Sequence, residues 1–234
     1  SKFMAKMTTK TKIIQQPANE QERWLVTTVA ELAKKADIGM PEVGIFPAQQ
    51  SNAFATGWNR NKALVAVSAG LLARFDRDEA RAVLAHEIGH VANGDMITMA
   101  LLQGLLNTFV IFLSRLAGFF VDKVILKNQR GLGMGYFITS IIAQIFLSCI
   151  ATVIALWFSR RREFRADEGG ARLAGKQNMI NALKKLQQVQ APQDLPGEFA
   201  AFGISGSRSS ISQLFLSHPP LEQRIATLQR AQIL

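Results

Sequence analysis

Two long apolar stretches, residues 96–120 and 134–158, limit what this chain can fold into more than any other feature of it. Each is 25 residues long; the first carries one charge, Arg115, and the second none. As a helix, either would be about 37 Å long at roughly 1.5 Å per residue, enough to cross a hydrocarbon core of about 30 Å. The segment between them is short and glycine-rich, so the pair is expected to form a membrane hairpin. The competing reading is two buried core helices. It fits the first stretch better, because Gln103, Asn107 and Arg115 interrupt it.

Outside these stretches the chain is charged, with a formal excess of +10 over 234 residues. Such a balance suits nucleic acid or an anionic membrane surface. A nucleic-acid module interleaves its basic residues with aromatics or carries a reader motif. Here the basic residues crowd beside the apolar stretches, so a lipid bilayer is the expected partner and no nucleic acid is. The single cysteine, Cys149, lies in the second stretch, which excludes an internal disulfide and a cysteine metal cage. The chain opens on Ser1, and a longer natural N-terminus is expected.

Residues 1–16, with Lys2, Lys6, Lys10 and Lys12, read as a flexible lead-in. Asn19 with Glu22 forms a capping-box pattern that opens a helix, along which Trp24, Leu25, Thr28, Val29, Leu32 and Ala36 recur at helical spacing. Strands are expected over residues 42–46, 52–58 and 62–67, and a second capping box, Asp76 with Glu79, opens a helix to about residue 93. Past Phe158 a new charged helix is expected near Arg160, another over 178–190, a Ser/Gly-rich loop over 203–212, and a last helix after Pro219-Pro220.

The strongest chemical signal is His86-Glu87-Ile88-Gly89-His90. Residues four apart share a helix face, so both imidazoles can reach one ion, while Glu87 stands one position aside, placed to take a proton from water. The bland alternative is a solvated helix with two surface histidines. Ala82, Val83, Leu84, Ala85, Ile88, Val91 and Ala92 make this helix apolar on most sides, and buried polar groups need a partner. A catalytic zinc requires a third protein ligand and an open position. The best carboxylate is Glu163, with Asp167 one turn on to accept the outer N–H of a ligand histidine. Taken alone, Glu163 equally reads as a solvated ion pair with Arg160 or Arg162. If both apolar stretches span, the hairpin returns the chain to one membrane face, and His90 and Glu163 become neighbours. His218, in Ser217-His218-Pro219-Pro220, has two open readings: a helix-start residue, or a donor to the oxyanion of peptide hydrolysis.

On these motifs the chain resembles the HtpX family of bacterial heat-shock membrane proteases, relatives of the eukaryotic CAAX prenyl endopeptidase. The resemblance covers essentially the whole length. It rests on residues 52–57 (Asn-Ala-Phe-Ala-Thr-Gly), on His86 to His90 with the following Val91-Ala92-Asn93-Gly94-Asp95, on Glu163 to Asp167, and on Ser217-His218-Pro219-Pro220. It implies one zinc per chain on His86, His90 and Glu163, with Glu87 as general base. It also implies a use for Asn52, Ala53, Phe54 and Ala55, otherwise an ordinary edge strand: pairing with the substrate backbone. Membrane-protein quality control is implied, with misfolded or damaged membrane proteins as substrates. Family members carry two further apolar segments before the point where this chain begins.

The expected architecture is α+β: a mainly α-helical, zincin-like metalloprotease domain with a small β-sheet, interrupted by a two-helix membrane hairpin. Residues 1–95 form the first half of the catalytic domain, 96–158 the hairpin and 159–234 the second half. Arg160, Arg161, Arg162 and Arg165 after the second stretch, with Arg74, Arg77 and Arg81 before the first, outweigh Lys123, Lys127 and Arg130 in the intervening loop, so the catalytic side is expected in the cytoplasm of a multi-pass inner-membrane protein. An intramembrane protease is the nearest rival. Its metal helix would itself be a clean span, whereas Arg74, Asp76, Arg77, Asp78, Glu79 and Arg81 lead into this one. A catalytically silent scaffold is a second rival, and the presence of Glu87 argues against it.

Overall fold

The computed structural model describes residues 2–190 and 219–232. The described residues fall into two compact units: 2–97 with 161–190 and 219–232, and 98–160.

The first unit is built around a four-stranded sheet in the order β1-β2-β4-β3, formed by β1 (Lys12–Ile13), β2 (Glu42–Phe46), β3 (Ala53–Thr56) and β4 (Leu64–Ser68). β2 and β4 run parallel, and β1 and β3 lie antiparallel on the two edges. Every residue of β4 is buried, as its Leu-Val-Ala-Val sequence requires of a central strand. Helix α2 (Glu20–Lys35) starts where the Asn19 side chain accepts the Glu22 N–H, and it buries Leu25, Val29 and Leu32 against Val43, Val65, Val67, Leu84 and Ile88. Each such side chain contributes about 1.5–3 kcal/mol when fully buried. Ser68 ends β4 and caps α3 (Ala69–Arg74); its hydroxyl also accepts the Asn52 N–H, tying the entrance of β3 to the sheet.

Helix α4 (Arg77–Ala92) opens with the full capping box of Asp76 and Glu79 and carries both histidines. A second core joins it to α3, to α7 (Lys176–Gln190) and to the C-terminal helix α8 (Leu221–Arg230) through Leu71, Val83, Met179, Leu183, Ile225 and Leu228.

Three expectations are corrected. Residues 2–13, within the stretch expected as a flexible lead-in, are ordered: α1 (Lys2–Thr9) is held by Lys2 and Lys6, which both pair with Glu42, and β1 follows it. No new helix begins near Arg160. Helix α6 runs unbroken from Met134 to Ala174, because no proline occurs in it and no glycine lies between Gly135 and Gly169. The strand expected over 52–58 is shorter, ending before Gly57, whose φ of 154° lies where a side chain is disfavoured.

The second unit is a pair of helices. Helix α5 (Asp95–Phe120) and the apolar part of α6 are long and apolar enough to cross a membrane, and almost none of that surface is covered. Leu101, Phe112, Ile142, Ile145 and Phe146 are among the exposed side chains, the condition expected where lipid is the solvent. The two helices touch through small residues. A side chain at Gly118 would collide with the Ser140 hydroxyl and the Tyr136 carbonyl, so only glycine lets the backbones approach this closely. The connecting turn is closed by Asp122, which accepts from the Gly133 N–H at 3.1 Å and the Asn128 amide at 3.0 Å.

Candidate metal centre

His86 and His90 lie one turn apart on α4, and Glu163 comes from α6. The two helices meet where side chains are small. A Cβ on Gly170 would stand 3.1 Å from the His86 nitrogen, and one on Gly89 3.3 Å from the Ala166 carbonyl. This close approach brings the carboxylate to the histidines. The Nε2 atoms of His86 and His90 are 3.1 Å apart, and Glu163 oxygens lie 3.6 and 3.4 Å from them. Three donors about 2.0–2.1 Å from a shared ion at tetrahedral angles would stand about 3.3 Å apart. The observed spacings match. Among the described residues, this is the one group of three such side chains arranged to hold a metal ion.

The opposite ring nitrogens are also engaged. His86 Nδ1 is 2.9 Å from Asp167 Oδ1, and His90 Nδ1 is 2.6 Å from Asp95 Oδ2. Each imidazole thus directs one nitrogen at a carboxylate and the other at the shared centre, the arrangement that orients histidine ligands. Burial opposes a charged ring at His86, but acceptance by Asp167 and Glu163 outweighs it and raises the imidazole to about 9. A cation at Nε2 competes for that same position.

Glu87 is partly buried beside the pair. Burial pushes its carboxyl above the ordinary range; the two imidazoles and a hydrogen bond from the Ala55 backbone act against that push. The Ala55 contact joins the edge strand to the centre. Residues 52–55 therefore run past Glu87, with the outer edge of β3 unpaired within the described sheet.

Asp167 lies beside the outer nitrogen of His86. His218 lies outside the described residues. Two further side chains were missed. Asp95 follows Gly94, whose φ of 66° turns the chain between α4 and α5 and returns the carboxylate to His90. An acidic residue just past a helix-ending glycine was the available signal. Arg224, on α8, places Nε 2.7 Å and Nη2 2.5 Å from the two Asp167 oxygens. It carried no sequence signal, being one of many arginines.

Known proteins similar to this chain point to the same class of enzyme. The model of peptidase family M48 matches residues 19–232. Proteins named Protease HtpX from Pseudomonas putida and Pseudomonas fluorescens are each 60% identical over 232 residues, which is 98% of this chain and 79% of theirs. The Hahella chejuensis protein of that name is 59% identical over 230 residues. Among solved structures, S. mikatae Ste24p shares the fold with a TM-score of 0.63 at 22% identity, covering 97% of this chain and 53% of that one. The described residues accordingly form a mainly helical metalloprotease fold with a small mixed sheet and two membrane-capable helices, acting on polypeptides in an integral membrane protein. With the family model and these relatives spanning nearly its whole length, the chain belongs to peptidase family M48 and is a metalloprotease.

Proposed function

We propose that this chain is a zinc endopeptidase of the bacterial inner membrane, with its site facing the cytoplasm and misfolded or damaged membrane proteins as substrates. The observation that carries the reading is the convergence of His86, His90 and Glu163 beside Glu87, with edge strand β3 alongside. Two imidazoles and one carboxylate form a donor set suited to catalytic zinc. When bound there, the ion supplies Lewis-acid polarisation of the scissile carbonyl and makes water more acidic.

The chain's own residues supply the rest. Asn52, Ala53, Phe54 and Ala55 pair with the substrate backbone as an added strand, which holds the scissile bond over Glu87. The small side chains of Ala53 and Ala55 leave room for it. Glu87 accepts the proton of the attacking water and delivers it to the leaving amine. His218 donates to the oxygen on which charge develops. Asp167 and Asp95 keep the two imidazoles oriented.

Metal analysis of the purified protein, alongside casein cleavage with and without a chelator, tests the reading. About one zinc per chain, chelator-sensitive cleavage, and a Glu87→Gln variant that keeps zinc while losing activity are expected. Full activity in Glu87→Gln would remove the proposed base.

A further inference from the structure

Arg224 is a buried cation that the proposed chemistry does not use, and it comes from the far end of the chain. Its side chain is almost wholly enclosed. A guanidinium is costly to bury unless its donors are met. Here Nε and Nη2 meet both oxygens of Asp167, at 2.7 and 2.5 Å, in the two-pronged geometry that suits arginine and carboxylate. Nη1 lies 3.6 Å from Glu163 Oε2 and Nη2 3.5 Å from His86 Nδ1. One guanidinium thus borders two of the three metal-directed side chains.

Its effect on His86 follows from donor and acceptor arithmetic. Asp167 Oδ1 receives Arg224 Nη2 and stands 2.9 Å from His86 Nδ1. Arginine can only donate, so it cannot satisfy an N–H on the imidazole. With both oxygens engaged by a rigid fork, the Asp167 carboxylate cannot rotate away, and its Oδ1 stays aimed at Nδ1. That arrangement puts the hydrogen on Nδ1 and leaves the Nε2 lone pair facing the metal site. We infer that Arg224 is a positioning residue for the metal centre: by clamping Asp167 it fixes the ring and tautomer of His86, so that helix α8 sets metal affinity. Helix α8 is seated on the core by Ile225 and Leu228, which are buried along with Arg224, so the clamp is fixed to a packed element. The inference rests on His86 being a metal ligand.

The test is zinc affinity of the full chain in detergent, measured by competition with a chromophoric chelator, together with the Co2+ spectrum and the melting temperature of chelator-treated protein. Variants are Arg224→Met, Arg224→Lys, Asp167→Asn and the double change Arg224→Met with Asp167→Asn. Arg224→Met is expected to weaken zinc binding by about 10- to 100-fold, the usual range for losing an outer partner of a histidine ligand, and to alter the Co2+ bands. Arg224→Lys keeps the charge but not the fork, so affinity should fall by about tenfold. Because Arg224 acts through Asp167, the double variant should bind zinc within about twofold of Asp167→Asn alone. Unchanged affinity in both Arg224 variants would overturn the inference, as would a full additional loss in the double variant. If Arg224→Met fails to fold, unchanged affinity and Co2+ spectrum in Arg224→Lys overturn it alone. A parent protein that binds no zinc would overturn both this inference and the metal-centre reading, whereas a parent that binds zinc without regard to Arg224 would overturn this one only.

Discussion

Within the proposed metal centre, neighbouring side chains are assigned different tasks, and single substitutions separate them. Asp95, the first residue of the next helix, stands 2.6 Å from His90 Nδ1. Asp95→Asn should leave the fold intact, because it nearly preserves the side chain's volume. It should nonetheless lower metal affinity by about 10- to 100-fold. Zinc content after dialysis against a weak chelator is the readout, and retention equal to the parent would show that His90 needs no such partner. His218→Ala addresses a different step. Loss of one oxyanion donor typically costs about a hundred- to a thousand-fold in kcat. Zinc content should stay unchanged, since the interaction strengthens only as charge develops. A kcat within a few-fold of the parent would reduce His218 to a helix-start residue, and lost zinc would make it a ligand.

Among the elements, the decisive contact is between α4 and α6, and it depends on glycine. At Gly170 a methyl group would already press on the His86 backbone nitrogen at 3.1 Å and on Met179 at 3.3 Å. Gly170→Val adds two more carbons in the same place, and overpacking of this kind costs about 1–3 kcal/mol. The expected result is a lower melting temperature together with reduced zinc occupancy, because separating the helices moves Glu163 away from both imidazoles. Gly169→Ala is the control. Its nearest neighbour is the Gly89 Cα at 4.0 Å, an ordinary contact, so it should melt and bind zinc like the parent. Equal behaviour of the two variants would mean that the helix spacing does not depend on Gly170.

For the whole molecule, the proposed orientation puts the catalytic side in the cytoplasm. The arginines at 160, 161, 162 and 165 follow the second apolar stretch directly, and the proposed cytoplasmic orientation follows from them. Single cysteines in a Cys149→Ser background distinguish the sides. Gln177 and Gln129 are both exposed, the first on α7 and the second in the hairpin turn. An impermeant thiol reagent applied to intact cells should label Gln129→Cys and spare Gln177→Cys. The reverse pattern would place the site outside the cytoplasm. Outer-membrane permeabilisation without loss of the inner membrane keeps the comparison clean.

Much of this protein was legible in its sequence because the information is local. A capping box needs only four consecutive residues, and the helix starts at Asn19 and Asp76 appear where those residues occur. Hydrophobic length needs only a count, so both membrane-capable helices were visible. The spacing of His86 and His90 puts two rings on one face whatever surrounds them. Glu163 was reachable by elimination, in a chain with three histidines and one cysteine. What sequence alone left open depends on contacts between distant residues. Lys2 and Lys6 look like a solvated basic run until Glu42, far along the chain, is brought beside them. Charged helix formers after Phe158 suggested a new start, but with no breaker present the helix simply continued. The Ala55 backbone comes to Glu87 only because β3 forms the sheet edge next to α4. Arg224 lies 57 residues from Asp167, and neither residue marks the other. Local chemistry determined which side chains can bind a metal ion. Tertiary packing decided which acids and bases stand behind them, because a buried charge acquires its role only from the partner that offsets the cost of burying it.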